Sequence, residues 1–359
     1  MSMRIDAPRI AAPGGNRASE LATAVARALR RDRILIAAVA VHMAAAAALA
    51  AMLGVPFESG TVPMLITALT KLLPCFLAIL VGWRFAVMAV AVRPAHPVRW
   101  LIDDLRRLAG EPGRLLGGLA GLACISVLAG TSAFVKDLIP IINPFDWDPA
   151  FAALDRALHG GHDPYALLMP VLGNPVATRI LDAAYYLWFF LIYFVVIATC
   201  FDTRNPVRRA TLLLAFVLTW VVGGNALAIA FSSVGPVYYA PLGFGDAFAP
   251  LMERLHAINA ETPIWAVKVH AMLLDGYLND GPVKGISAMP SMHVACAALL
   301  AFHGFTVRRW IGWALAGFLV VIQVGSVHLA WHYAIDGYFG IVIAGACWLA
   351  ARAVARRVA

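Results

Sequence analysis

The chain alternates between long apolar runs and short arginine-bearing segments. Eight of the runs approach the roughly 20 residues that a helix needs to cross a bilayer. They fall at 34–54, 62–83 with a continuation toward 92, 115–135, 180–200, 211–232, 289–307, 310–328 and 333–351. The second is the weakest pattern, since Lys71 lies inside it, Arg84 near its end, and Pro74 is placed to kink it. The segment 93–114 mixes apolar residues with arginines in the manner of an amphipathic surface helix. Residues 1–33 read as a basic tail leading into a short helix; polar and arginine-rich from the start, they do not resemble a cleavable signal. The pattern predicts an all-α integral membrane protein with about eight transmembrane helices. It divides into a tail (1–33), two helices with the amphipathic segment (34–114), and a six-helix core (115–352).

Composition supports lipid as the main solvent. Hydrophobic residues make up 62% of the chain and charged residues only 13%, whereas soluble domains are about one quarter charged. The net charge of +8 does not point to nucleic acid, because the basic residues cluster at the ends of the apolar runs, which is a topology signal. With eight crossings and a cytoplasmic N-terminus, 21 of the 24 arginines fall on the cytoplasmic side and only Arg156, Arg179 and Arg254 outside. Both termini are then cytoplasmic, and the long segments 136–179 and 234–288, rich in Pro, Gly, Trp and Tyr, lie outside. The five cysteines sit in or beside apolar runs with no CxxC pair, so they read as small core residues.

Three pieces converge on the outer face by this topology. SAMPSMHVA, 287–295, opens the sixth run; Pro290 suits a first helical turn, which puts Ser291 and His293 near a helix N-terminus, an anion site in waiting. A capped helix with an interfacial histidine is the plain alternative. SVHLAWHYAIDGYFG, 326–340, sets His332 and Asp336 four apart, on one face if the segment is helical. A carboxylate on one imidazole nitrogen fixes the tautomer and raises the basicity of the other; a simple helix-locking pair is the alternative. His328 reads as a helix-end residue. Lys136 marks the outer end of the third run and can clamp a phosphate or merely anchor the helix. Two imidazoles, a carboxylate and phosphate-type donors suggest phosphoryl transfer through a covalent histidine. A metal site from His293, His328, His332 and Asp336 is the rival. Between His328 and His332, however, stand Leu, Ala and Trp, without the Glu of an H-E-x-x-H site.

The pair MPSMH and HYAID resembles the second and third signatures of the type 2 phosphatidic acid phosphatase superfamily, and more narrowly its inositol phosphorylceramide synthase-like branch. The likeness extends to Gly235-Pro236-Val237-Tyr238-Tyr239 and to 136–161, and covers roughly 115–350. It implies a phosphatase-type catalytic core over the last six helices. His332 would be the nucleophile, Asp336 its orienting partner and His293 the acid, with Ser291 and nearby amides on phosphate oxygens. Tyr238 and Tyr239 would belong to the substrate site. The first signature, K-x6-R-P, reads here from Lys136 to Pro144 with Asn143 in the arginine position, and Gly325 and Ser326 stand where the third signature opens with Ser-Arg. Lys136, Lys284 and Lys268 are the candidates to supply the missing charge. The resemblance implies no metal or other cofactor, a phospholipid or other lipid-phosphate substrate, and a site on the periplasmic face of the inner membrane. The acceptor is either water or a hydroxylated lipid or polyol. A lipid-phosphate or polyprenyl-phosphate phosphatase, and a non-catalytic lipid-binding or transport protein on the same fold, are the other readings.

Overall fold

The computed structural model describes residues 17–109, 112–281 and 285–358, and the described residues form helices joined by turns, with no strand. In chain order these are α1 (Arg17–Arg31), α2 (Arg33–Leu53), α3 (Thr61–Val92), α4 (Pro97–Ala109), α5 (Pro112–Ile142), α6 (Asp148–Leu158), α7 (Pro164–Leu172), α8 (Pro175–Cys200), α9 (Pro206–Ala230), α10 (Ala249–Glu261), α11 (Trp265–Leu278), α12 (Met292–Val307), α13 (Arg309–His328) and α14 (Ala334–Val358). Among the described residues, α2, α3, α5, α8, α9, α13 and α14 are each long and apolar enough to cross a membrane. In hydrocarbon every backbone amide must be paired within the segment, which is why each apolar run resolves into a helix.

The remaining predicted span, 289–307, forms the shorter α12 of 16 residues. At about 1.5 Å per residue it falls short of the roughly 30 Å hydrocarbon thickness. It is enclosed by protein: Val294 through Ala301 are all buried, and it packs on α13, α14 and α9. A helix apolar on every side belongs at the centre of a bundle. Its start also differs from expectation. Pro290 lies before the helix, and Ser291 is the N-cap, its Oγ accepting from the Val294 amide at 3.4 Å.

The periphery is different. Only 11% of the apolar window of α3 is buried against protein, against 61% for α9, so α3 faces lipid along most of its length. A π-helical stretch, Ala68–Leu72, precedes Pro74 in α3, with the Leu73 amide donating to the Ala68 carbonyl oxygen. The expected amphipathic segment forms α4, fastened to α3 by a bidentate contact of Arg84 with Asp104 at 2.6 and 2.8 Å. Arg209 of α9 makes a buried two-point ion pair with Asp32 at the α1–α2 junction, tying the N-terminal helices to the core. Paired and hydrogen-bonded, such charges are tolerated inside; either one alone would be costly. The basic helix expected near the N-terminus is α1, while residues 1–16 lie outside the described residues.

Two glycines permit the close approaches around the site. Gly235 has φ +80°, and a Cβ there would stand 2.7 Å from the Trp331 carbonyl oxygen; a Cβ on Gly340 would stand 2.7 Å from the Ser291 carbonyl oxygen, where α12 and α14 meet.

Candidate active site

A cavity of about 330 Å³ lies between α5, α8, α9, α11, the start of α12 and the turn before α14. His293, His332 and Lys136 all line it. They come from three separate parts of the chain, and their rings and stem meet because α5, α12 and the turn before α14 converge at one end of the bundle. The rest of the wall mixes aliphatic residues with aromatic rings, Tyr185, Trp188, Tyr238 and Trp331 among them. Lys136 is the only charged side chain among the described residues that line it.

His332 is not on a helix. It sits in the turn between α13 and α14, two residues before α14 begins. The expected pairing along one helical face is therefore replaced by a contact across a helix N-terminus. Nδ1 of His332 donates to the carbonyl oxygen of Ala288 at 2.9 Å and lies 3.3 Å from Asp336 Oδ2. The same carboxylate oxygen accepts from the Tyr333 amide at 3.0 Å. The backbone amides of Trp331 and His332 both donate to the Ser326 carbonyl oxygen, at 3.0 and 3.1 Å, which closes the turn. With Nδ1 carrying the proton, Nε2 is left with its lone pair.

His293, in the first turn of α12, is held differently. Its ring stacks on Tyr185 at 4.4 Å between centroids, with 23° between planes, and meets Trp188 at 4.4 Å in a tilted contact of 42°. The two imidazoles are 6.1 Å apart, centroid to centroid. Lys136 lies within α5, which runs on past it to Ile142 instead of ending there. Gly285 leaves room for its stem, since a Cβ at that position would be 3.1 Å from Lys136 Cγ and Cδ.

Other expected site residues lie elsewhere. Asn143 spends its side-chain amide on the Ile229 and Ala230 carbonyl oxygens at 2.8 and 3.3 Å, closing the end of α9, and does not line the cavity. Ser291 is fully buried as the α12 cap, its amide donating to the Asp336 carbonyl oxygen at 3.0 Å, and it too is absent from the wall. Tyr238 lines the cavity and donates its hydroxyl to the His270 carbonyl oxygen at 3.2 Å. Its neighbour Tyr239 packs on Phe244 and Phe248 away from the wall. Lys268 is exposed on α11 and is not part of the wall. Lys284 lies outside the described residues. His328 ends α13, its Nε2 2.9 Å from Thr178 Oγ1, so the four-residue metal set does not assemble. No group of three or more His, Cys, Asp or Glu side chains among the described residues could hold a metal ion.

Two carboxylates that the sequence reading passed over brace the site. Asp148 and Asp155, both on α6, are two turns apart and buried. Asp148 accepts from the amides of Val234 and Gly235, each at 2.9 Å, and from the Tyr333 hydroxyl at 2.8 Å. Asp155 accepts from the amides of Ala334 and Ile335 at 2.9 and 3.2 Å, capping α14 from outside. Burial pushes both carboxyls above the usual carboxylate range, and these hydrogen bonds work against that rise. The available signal was a seven-residue spacing that puts two acids on the apolar face of a helix beside Phe151 and Ala152.

Residues 149–350 match the sequence family described as the PAP2 superfamily. The chain belongs to that superfamily, as a multi-pass membrane protein of the phosphatase and phosphotransferase type that acts on lipid phosphates. No curated protein and no solved structure gives a significant match.

Proposed function

We propose that the cavity is the active site of a metal-independent lipid phosphotransferase that works through a phosphohistidine. Its catalytic core is residues 115–352, and it most resembles inositol phosphorylceramide synthases. The carrying observation is the pair of imidazoles, 6.1 Å apart across one cavity, with Lys136 in its wall. His332 Nε2 attacks phosphorus while Ala288 and Asp336 hold the proton on Nδ1. The bond to the lipid oxygen breaks, and His293 gives that oxygen its proton. In the second half His293 takes a proton from an incoming hydroxyl, whose oxygen displaces His332 from phosphorus. Water as acceptor gives a phosphatase; a hydroxylated lipid or polyol gives a transferase.

The transferase reading is favoured by charge. A phosphodiester carries one negative charge, matched by one ammonium, whereas a monoester carries about −1.5 to −2 near neutral pH. The signature arginines that would balance the second charge are replaced by Asn143 and Ser326. The arginine distribution supports cytoplasmic termini and a site on the periplasmic side of the inner membrane.

The test is turnover of headgroup-labelled phosphatidylinositol in lipid vesicles with and without ceramide, together with acid-quench trapping of label on His332. Label moving to ceramide supports transfer. Water-soluble products alone, across ceramide and other hydroxylated acceptors, overturn the transferase reading. Unchanged activity of His332→Ala in cells, with neither turnover nor trapped label in the parent protein, would leave a binding or transport protein on this fold.

A further inference from the structure

The two imidazoles are fixed by different physics. His332 is fixed by hydrogen bonds at Nδ1. Among the described residues, no hydrogen bond reaches the ring nitrogens of His293; what touches the ring is the pair of aromatic faces from α8. Tyr185 and Trp188 are three apart on that helix and so share a face. Both are 4% exposed. Neither the Tyr185 hydroxyl nor the Trp188 indole nitrogen has a hydrogen-bond partner. A buried donor without a partner is costly, so hydrogen bonding does not explain these two side chains. Tyr185 also meets Trp331, nearly parallel at 4° and 6.3 Å, so ring contacts link Trp188, His293, Tyr185 and the residue next to His332.

We infer that Tyr185 and Trp188 are positioning residues that clamp the His293 ring in the plane and rotamer needed for proton transfer. The inference rests on the reading of His293 as the acid. An imidazole without a hydrogen-bonded partner is free to turn about its side-chain torsions, and two aromatic rings packed this close against it restrict that freedom without occupying its nitrogens. Geometry of this kind is worth much to a rate: a misplacement of about 1 Å can cost roughly a hundredfold.

The experiment uses the full chain in detergent–phospholipid micelles, with dioctanoyl phosphatidic acid and phosphatidylinositol plus ceramide as the probe substrates. The expected result is a loss of about tenfold or more in kcat for Trp188→Leu and Tyr185→Leu, with KM within about twofold. Trp188→Phe and Tyr185→Phe, which keep a ring face, restore most of the rate. In a His293→Asn background Trp188→Leu adds no further loss, because the group it positions is already gone. A second readout needs no turnover: diethyl pyrocarbonate modification of His293, followed by mass spectrometry. It speeds up several-fold in the Leu variants and not in the Phe variants.

Phe variants as impaired as the Leu variants, a pure KM effect, or losses that multiply in the His293→Asn background would overturn the clamp. So would an unchanged modification rate of His293 in the Leu variants. Full turnover in His293→Asn alone instead sinks the reading of His293 as the acid, and the modification experiment then still decides whether the rings hold it.

Discussion

His332 points Nδ1 at the carbonyl oxygen of Ala288, 2.9 Å away, and this bond is shorter than the 3.3 Å contact with Asp336. The residue that fixes the tautomer is therefore a backbone carbonyl just ahead of α12. Asp336 adds charge and also holds the Tyr333 amide.

It follows that removing the carboxylate should leave the imidazole in the right tautomer. Asp336→Asn is expected to lower kcat by about ten- to a hundredfold, less than the roughly 10⁴-fold seen where a carboxylate alone sets the tautomer. His332→Ala should abolish turnover. Steady-state kinetics of the two variants side by side check the ranking, and equal losses would show that Asp336 does more than orient.

Asp155 caps α14 through the Ala334 and Ile335 amides. Asp155→Ala should cost about 1–2 kcal/mol and lower the apparent melting temperature in detergent by roughly 2–4 °C per kcal/mol. Because α14 starts two residues after His332, kcat should fall as well. Asp155→Asn, which keeps one acceptor oxygen, should lie between the two.

Lys136 and Asn143 separate charge from scaffold. A hydrogen bond to an ionised partner contributes about 1.5–3 kcal/mol, so Lys136→Met is expected to lower kcat/KM by roughly ten- to a hundredfold. Asn143→Ala should lower thermal stability through the Ile229 and Ala230 carbonyls while leaving KM near the parent value. A rise in KM for Asn143→Ala would return it to the substrate site.

His270 makes a pH prediction. It lies on α11, outside the spanning helices, and burial drives its imidazole from 6.5 down to about 3. The unfolded chain binds a proton near pH 6.5 that the folded chain refuses, so the contribution to stability is complete above that pH and is lost as pH falls through this window. Asp148 and Asp155, raised by burial, act with the opposite sign. The difference between variants isolates His270: from pH 7 to about 4.5, the melting temperature of His270→Gln should fall less steeply than that of the parent. Parallel curves would exclude the assignment.

The spanning helices were legible in the sequence because lipid leaves the backbone only one solution, and apolar runs of the right length report it directly. The pieces of the candidate site stood out as motifs, but their local geometry did not. A spacing of four between His332 and Asp336 fits a helix, yet α14 begins only at Ala334, and the pair meets through the first turn. Asn143 occupies an arginine position in the motif and serves instead as a helix stop, which spacing alone does not distinguish. Asp148 and Asp155 were hidden for another reason. Their partners are backbone amides of distant segments, and backbone amides leave no mark in a sequence.

Phe189 and Met272 line the cavity and are also 48% and 47% exposed, Phe189 on the spanning helix α8 and Met272 on α11. Through Phe189 the cavity wall thus reaches the apolar outer flank of a spanning helix. For such an enzyme the quantity that governs rate is the mole fraction of substrate in the surrounding lipid. Diluting vesicles with buffer should leave the rate per enzyme unchanged, and diluting the substrate with inert phospholipid should lower it.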